Sequence, residues 1–360
     1  MSNTDQDYNL IVPIARSDEV RVNFNPEMRR EFMAAVETLL PAHFYVLDNQ
    51  ERFMAKFQFI TFVLALLSAA PGPYAANLQA DQPAIPNRPV VPGTFRLHLR
   101  ERKETAPKNG KFEVVERETD WRVSETVIII CDMWEDHPCQ MSAYRVDAMA
   151  PDMNRVVAAA RSLGAQIIHS PSSGIPFYEA TQQRQRIKAA PAIKPPVPLE
   201  SSCLFDSQRE ADFPIPSTSK VEDGCDDPIY LGDALTGRRQ HAAIKIVGYD
   251  GVSDSGAEVF SFLEQLGIRN VVLMGVHTHY CVLGRTFGIR AMVKLGKNVV
   301  LCRDLTDAMY DPRKPPYVSH QRGTELAVEH IEKYWCPSIT SSDLVTVVPG
   351  SADPMPAAKK

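Results

Sequence analysis

The sequence predicts an α/β protein, because from about Thr126 onward strand patterns alternate with helix patterns. Two runs, TVIIIC (126–131) and NVVLMGV (270–276), are apolar throughout, as expected of strands that are buried on both faces of a sheet. Apolar residues recur at helical spacing between such runs. Repeated strand–helix units produce parallel strands covered by helices on both faces. The predicted architecture is therefore a three-layer α/β/α sandwich around a mostly parallel, Rossmann-like sheet.

The elements of this sheet follow in chain order. A hairpin comes first, because Phe95, Leu97 and Leu99 alternate with polar residues ahead of an Asn109-Gly110 turn, and we expect it at the sheet edge. Strands are then predicted at 126–131, 165–169, 242–247 (AAIKIV), 270–276, 297–302 and 344–348. Helices are predicted at 149–160, 178–188, 255–266, 282–293 and 321–334, the third of them with a Ser255–Glu258 capping box.

The stretch 57–70 contains the strongly apolar run FITFVLALLSAA. It is short of the roughly 20 residues of a membrane span, follows Lys56 and precedes small residues, all of which is typical of a signal peptide at 54–76. We therefore expect translation to start near Met54, residues 1–53 to be a mis-called extension, and the protein to be exported to the periplasm or the cell exterior. The alternatives are a retained membrane anchor and a buried core helix. We expect contact with a membrane only if the segment is retained as an anchor.

The rest of the chain divides by composition. A Pro-rich linker at 77–94 precedes the main domain, 95–350, and a tail at 351–360 is expected to be disordered. Within the main domain a stretch rich in Pro, Ser and Asp, about 170–240, interrupts the strand–helix rhythm. Insertions of this length are often lids or substrate walls.

Composition excludes several function classes. The net charge is −5 and no long Lys/Arg run occurs, so we expect no nucleic-acid partner. The sequence has no G-x-G-x-x-G, P-loop or G-x-S-x-G motif, so we expect no cofactor and no serine nucleophile. There are seven cysteines, without a C-x-x-C pair, and a Cys203–Cys225 disulfide is predicted because both residues lie in the insertion.

Three predicted strands carry reactive side chains at or near their carboxyl ends: Asp132, Lys245 and Cys281. Ligands bind beyond these ends in parallel sheets, so the three side chains are expected to converge. A thiolate at a helix start is a nucleophile, a carboxylate can accept and return its proton, and a lysine stabilises negative charge. Each residue also has a structural interpretation, as a packed thiol, a helix cap or a solvated lysine.

Three segments, IIICDMW, IKI and GVHTHYCV (275–282), together resemble the isochorismatase-like cysteine hydrolases, which include nicotinamidases and N-carbamoylsarcosine amidohydrolases. The resemblance extends over about 126–348. It implies a triad of Asp132, Lys245 and Cys281, a cis peptide between Val276 and His277 that directs N–H groups at an oxyanion, and a homo-oligomer. It also implies attack by the cysteine on a carbonyl carbon, loss of ammonia or an amine, and hydrolysis of the thioester.

The sequence departs from two branches of that family. Nicotinamidases bind a metal through Asp-x-His and a further His after the second strand, and HSPSSGIPFY (169–178) lacks this pattern. Isochorismatases that cleave a vinyl ether often lack the cysteine, whereas Cys281 is present. We therefore expect hydrolysis of a C–N bond in a small amide, imide or ureido compound, without a metal.

Substrate contacts are predicted from Trp134, His137 and His279, which flank the same crevice. Further pocket candidates are Arg285, Tyr310, Tyr317 and His320. Two alternatives stay open at this point. One is a metal-dependent hydrolase that uses Asp136, His137, His277 and His279. The other is a catalytically inactive binding module with the same fold.

Overall fold

The computed structural model describes residues 11–14, 18–21, 88–89, 91–199, 205–217, 220–230 and 238–349. The chain forms two compact units, Met1–Ala84 and Ile85–Lys360. In the first unit, strands β1 (Ile11–Ile14) and β2 (Asp18–Arg21) pair in antiparallel orientation. The predicted signal segment, the predicted C-terminal tail and Cys203 lie outside the described residues. No helix in the described part of the chain has both the length and the apolar character needed to cross a membrane.

The second unit is built on one eight-stranded sheet in the order β4-β3-β10-β9-β8-β5-β6-β7. The strands are β3 (Thr94–Glu104), β4 (Phe112–Arg122), β5 (Thr126–Cys131), β6 (Gln166–Ser170), β7 (Gly251–Val252), β8 (Asn270–Val276), β9 (Asn298–Asp307) and β10 (Ser338–Ile339). The run from β10 to β7 is parallel throughout, and β3 is antiparallel to both β10 and β4. The mostly parallel sheet and its edge hairpin are thereby confirmed.

Helices cover both faces of this sheet. The α-helices of the described residues are α1 (Gln140–Ser162), α2 (Gln182–Lys188), α3 (Val221–Gly224), α4 (Gly256–Gln265), α5 (Ile289–Lys294) and α6 (His320–Tyr334). Successive side chains of a strand point to opposite faces. Ile128 of β5 accordingly shares a core cluster with Met153 of α1, whereas Ile129 shares the other cluster with Leu263 of α4 and Ile331 of α6. The three-layer prediction is confirmed.

The predicted strand at 242–247 is wrong, and the edge strand is instead β7, which pairs with β6. Side chains occupy the backbone groups that a strand would use. The Arg161 guanidinium donates to the carbonyl of Lys245 at 3.1 Å, and the N–H of Val247 donates to Asp250 Oδ2 at 2.9 Å. An apolar run alone therefore did not make a strand here, because buried charged side chains hold its backbone as a loop.

Two further elements differ from prediction. The expected strand at 344–348 is absent, and β10 takes the position beside β9, followed by a 3₁₀ turn at Ser341–Leu344. The expected helix over 282–293 is interrupted, and α5 starts only at Ile289. A tight turn precedes it, in which the N–H of Gly288 donates to the carbonyl of Arg285 at 2.7 Å. A Cβ at Gly288 would lie 2.8 Å from the carbonyl oxygen of Val282, so only glycine fits.

Candidate active site

The site lies where β5 and β8 run side by side in the middle of the sheet. From β5 the chain continues to β6 on one side, while β8 lies on the other. This is the place where an open parallel sheet leaves a crevice beyond its carboxyl ends. Asp132 follows β5 directly, and Cys281 follows β8 after a short turn. The structure therefore places two of the three predicted triad residues beyond adjacent strand ends.

Asp132 is held on both carboxylate oxygens. Its side chain is buried, and its backbone is in the left-handed region, with φ at 47°, which aspartate tolerates better than most residues. Oδ1 accepts a hydrogen bond from the N–H of Ser172 at 2.7 Å. Oδ2 accepts from Nε and Nη2 of Arg285 at 3.3 and 3.2 Å. The carboxylate is thus fixed in position at the crevice.

Cys281 lies in a single π turn, Thr278–Val282, rather than at the start of the longer helix that was predicted. The turn is closed by the N–H of Val282, which donates to the carbonyl of His277 at 3.2 Å. The thiol is outside any disulfide and is half-buried. The peptide bond between Val276 and His277 is cis, as the resemblance implies.

Arg285 supplies the cation beside both residues. It follows Cys281 by one turn, with its N–H donating to the Cys281 carbonyl at 3.0 Å, and its guanidinium pairs with Asp132. Burial lowers the pKa of Arg285, but the nearby Cys281 and Asp132 outweigh burial and raise it above its usual range. A permanent positive charge is therefore paired with Asp132 and interacts with Cys281.

Lys245 is not brought to this crevice. Its side chain is exposed, and Nζ donates to the carbonyl of Ala242 at 2.7 Å, within the loop that replaces the predicted strand. The expected convergence of Lys245 with Asp132 and Cys281 is therefore wrong. The physical reason is the loop just described, whose backbone is held by Arg161 and Asp250.

A cavity of about 990 Å³ opens above Cys281. Trp134, His137, His277 and His279 line it on the sheet side, and three of them, Trp134, His137 and His279, are the residues predicted as substrate contacts. The opposite wall comes from the insertion, which supplies Phe205, Asp212, Phe213, Pro214, Ile215, Pro216, Ser217, Lys220 and Val221, whereas Arg238 lies over Trp134 on the sheet side. The described part of the insertion thus forms a wall of the cavity. Of the further candidates only Arg285 lines it, whereas Tyr310, Tyr317 and His320 do not.

The cavity histidines are neutral at pH 7. Burial lowers the pKa of His137 to about 4 and that of His279 to about 3, and it holds the pKa of His277 well below its usual value. His137 lies between the Trp134 ring, 5.7 Å away, and the His277 ring, 4.9 Å away, measured between centroids. The sheet-side wall is therefore aromatic and uncharged.

In the part of the chain that the structure describes, the cavity histidines are not grouped with acidic side chains as metal ligands would be. Within the described ranges, one group of three possible ligand atoms lies within 4.8 Å of one another, from Cys139, Cys225 and Asp227. Two of these residues are joined in a disulfide and have no thiolate to offer. The geometry therefore does not favour the alternative that used Asp136 with His137, His277 and His279.

A disulfide ties the insertion to the sheet-side wall. It joins Cys139 to Cys225, with Cα atoms 5.5 Å apart, so the predicted Cys203–Cys225 pair is wrong. Asp227 strengthens the same connection, because its carboxylate accepts from the N–H groups of Gln140 and Met141, at 2.9 and 2.8 Å, at the start of α1. The partner of Cys225 thus comes from outside the insertion.

Glu210 anchors the insertion a second time. Its buried carboxylate accepts from His330 Nε2 at 2.9 Å, Trp335 Nε1 at 2.9 Å and Arg290 Nη2 at 2.6 Å. Burial alone would raise the pKa of Glu210, but these donors lower it to about 2. The segment that carries Phe213 and Ile215 is therefore fixed to α5 and to the end of α6 by an ionised buried carboxylate.

No protein-family model and no curated protein matches the chain. Solved structures with a similar course of chain include a cysteine hydrolase from Pseudomonas syringae, with 14% identity, TM-score 0.38, and coverage of 62% of this chain and 92% of that one. An isochorismatase from Pseudomonas putida shows 13% identity, TM-score 0.36, and coverage of 61% and 90%. An isochorismatase-like hydrolase from Alkaliphilus metalliredigens shows 11% identity, TM-score 0.35, and coverage of 62% and 96%.

Proposed function

We propose that the protein is a cysteine-dependent hydrolase that cleaves a C–N bond in a small amide, imide or ureido compound through a thioester. One observation carries the proposal. Arg285 pairs with the buried Asp132 and lies close enough to Cys281 for the charges to interact, at the base of a cavity of substrate size. A carboxylate, a fixed cation and a half-exposed thiol in one crevice are the groups that nucleophilic acyl transfer requires.

Each of these groups has a role in the reaction. Asp132 accepts the thiol proton of Cys281, and Arg285 stabilises the resulting thiolate. The sulfur forms a bond to the carbonyl carbon, the C–N bond breaks, and the proton on Asp132 passes to the leaving nitrogen. Water then adds to the thioester while Asp132 accepts one of its protons, the C–S bond breaks to release the acid, and the proton passes from Asp132 back to the sulfur to restore the thiol. Atoms and charge balance without a metal or a redox partner.

We also propose that the protein is exported. Disulfides persist in oxidising compartments, so the Cys139–Cys225 bond supports a periplasmic or extracellular location. The proposed signal peptide lies outside the described residues, and mass spectrometry of the native N-terminus tests it. Assembly into a homo-oligomer stays a prediction.

Ammonia release from a panel of small primary amides, imides and ureido compounds tests the activity, with Cys281→Ala as the control. We expect turnover that this substitution abolishes, together with a covalent acyl adduct on Cys281 in rapid-quench mass spectrometry. Turnover that survives in Cys281→Ala would overturn the proposed nucleophile. A Cys281 that thiol reagents modify no faster than a buried cysteine would favour the inactive binding module.

A further inference from the structure

Arg238 occupies a defined position on the cavity wall. Residues 238–241 run antiparallel to residues 133–135, since Glu135 donates to the carbonyl of Arg239 at 2.8 Å and His241 donates to that of Met133 at 2.7 Å. This short ladder holds the Arg238 guanidinium 5.0 Å above the Trp134 ring, on the cavity side. A half-buried arginine is thereby fixed against an aromatic surface by backbone hydrogen bonds.

The Arg238 guanidinium has no carboxylate partner within the described ranges. Its one hydrogen bond there, from Nη1, goes to the neutral Ser173 Oγ at 3.3 Å. Two rings of the cavity wall near it are uncharged, because Trp134 is an indole and burial keeps His137 neutral. A guanidinium that is partly removed from water and left without a counter-charge binds an oxyanion favourably, and its planar fork matches a carboxylate.

The other charged groups of the cavity differ from Arg238. Arg285 pairs with Asp132, Arg290 pairs with Glu210, and Lys220 lies 3.7 Å from Glu222. Asp212 also lines the cavity, with an exposed side chain. Arg238 is thus the cation of the described lining that lacks an acidic partner.

We infer that Arg238 binds a carboxylate of the substrate, so that the enzyme acts on an anionic amide whose carboxylate pairs with the guanidinium fork beside Trp134 while its carbonyl faces Cys281. This inference rests on the proposed function. It adds a substrate class, namely small amides that carry a carboxylate. It also makes Arg238 a residue that determines specificity. The aromatic wall of Trp134, His137 and His277 favours a planar body between the two groups.

Two thiol reagents that differ by one carboxylate test the inference: 4-maleimidobenzoate and N-phenylmaleimide. Each adds the Cys281 sulfur across its double bond, which then takes up a proton, and Cys281→Ala supplies the background from other thiols. We expect Arg238→Gln to slow the reaction with 4-maleimidobenzoate about tenfold and to leave that with N-phenylmaleimide unchanged. Arg239→Gln is the matched control, because Arg239 stacks on Phe177 away from the cavity, and it should change neither rate.

If Arg238→Gln reacts with both reagents at the wild-type rate, and both proteins have the same thermal midpoint, the inference is overturned. The proposed function is not affected by that outcome. If Cys281 reacts with neither reagent, the proposed nucleophile fails, and calorimetric titration decides the anion site separately. We expect benzoate to bind the wild type about tenfold more tightly than Arg238→Gln, and benzamide to show no such difference. The same benzoate affinity in both proteins would then overturn the inference.

Discussion

The two walls of the cavity are built in different ways. Asp132 and Cys281 follow adjacent central strands, so ladder hydrogen bonds and the packed layers of the sandwich fix their positions. The opposite wall comes from the insertion, which long-range polar anchors and one disulfide hold in place. The reactive groups are therefore tied to the stability of the sheet, whereas the shape of the binding wall depends on a few connections. Substitutions should therefore affect the reactive groups and the binding wall separately.

The largest effect is expected from Asp132→Asn on the sheet side. Asparagine keeps the shape and can still accept from Ser172, but it cannot take the thiol proton and loses the charge that faces Arg285. We expect kcat to fall about 10³-fold, and the melting temperature to fall less than in Glu210→Gln, because the Arg285 side chain is 32% exposed and water can solvate it. Kinetics on an amide from the ammonia-release panel, with thermal unfolding alongside, measure both.

Asp254→Asn is the matched control for this substitution, because Asp254 accepts from the neighbouring Ser173 N–H at 3.0 Å and does not line the cavity. Its kcat should stay within about twofold of the wild type. Activity that survives in Asp132→Asn would remove the carboxylate from the mechanism and leave Arg285 as the group that activates the thiol.

Glu210→Gln should loosen the insertion and spare the sheet side. The amide cannot satisfy Arg290 and His330 as the carboxylate does, and Arg290 is left without its buried counter-charge. We expect a loss of about 3 kcal/mol in the free energy of unfolding and a raised KM, with unchanged alkylation of Cys281 by iodoacetamide. If Glu210→Gln slowed the alkylation of Cys281 as much as it weakened substrate binding, the two walls of the cavity would not be separable.

The same residue predicts a pH dependence. The pKa of Glu210 is about 2 in the folded protein against 4.5 as its reference value, so its contribution to stability is present above about pH 4.5 and is lost as the pH falls toward 2. Denaturant unfolding between pH 6 and pH 3 should therefore show a steeper loss in the wild type than in Glu210→Gln. Glu222→Gln, an exposed carboxylate on the same insertion, should keep the wild-type slope.

The sheet side could be predicted from the sequence, and the insertion could not. Long apolar runs mark β5 and β8, and a parallel sheet puts the residues after them at one edge, so Asp132 and Cys281 were found from pattern alone. Arg238 and Glu210 lie in stretches without periodicity. Their positions follow from contacts with residues far away in the chain, such as His330, which no local pattern encodes.

The cation of the site was assigned to the wrong residue for a related reason. AAIKIV has the composition of a strand, and the buried Arg161–Asp250 pair that keeps it a loop joins residues 89 positions apart in the chain. Arg285 was recognised as a pocket candidate. Its pairing with Asp132 depends on the π turn and on the break before α5, and neither produces a signal in helical periodicity.

The smallest effect is expected from Lys245→Ala, and it tests this reassignment. Because Nζ is exposed and bonds only within its own loop, its removal should change kcat by less than about twofold and the free energy of unfolding by less than about 0.5 kcal/mol. Arg285→Gln, measured in parallel, should slow Cys281 alkylation at pH 7 about tenfold, because the thiolate loses its neighbouring cation. If Lys245→Ala instead removed activity as fully as Asp132→Asn, the loop at 242–247 would have to deliver the lysine to the crevice during turnover, and the reactive wall would then include a loop as well as the residues that follow the central strands.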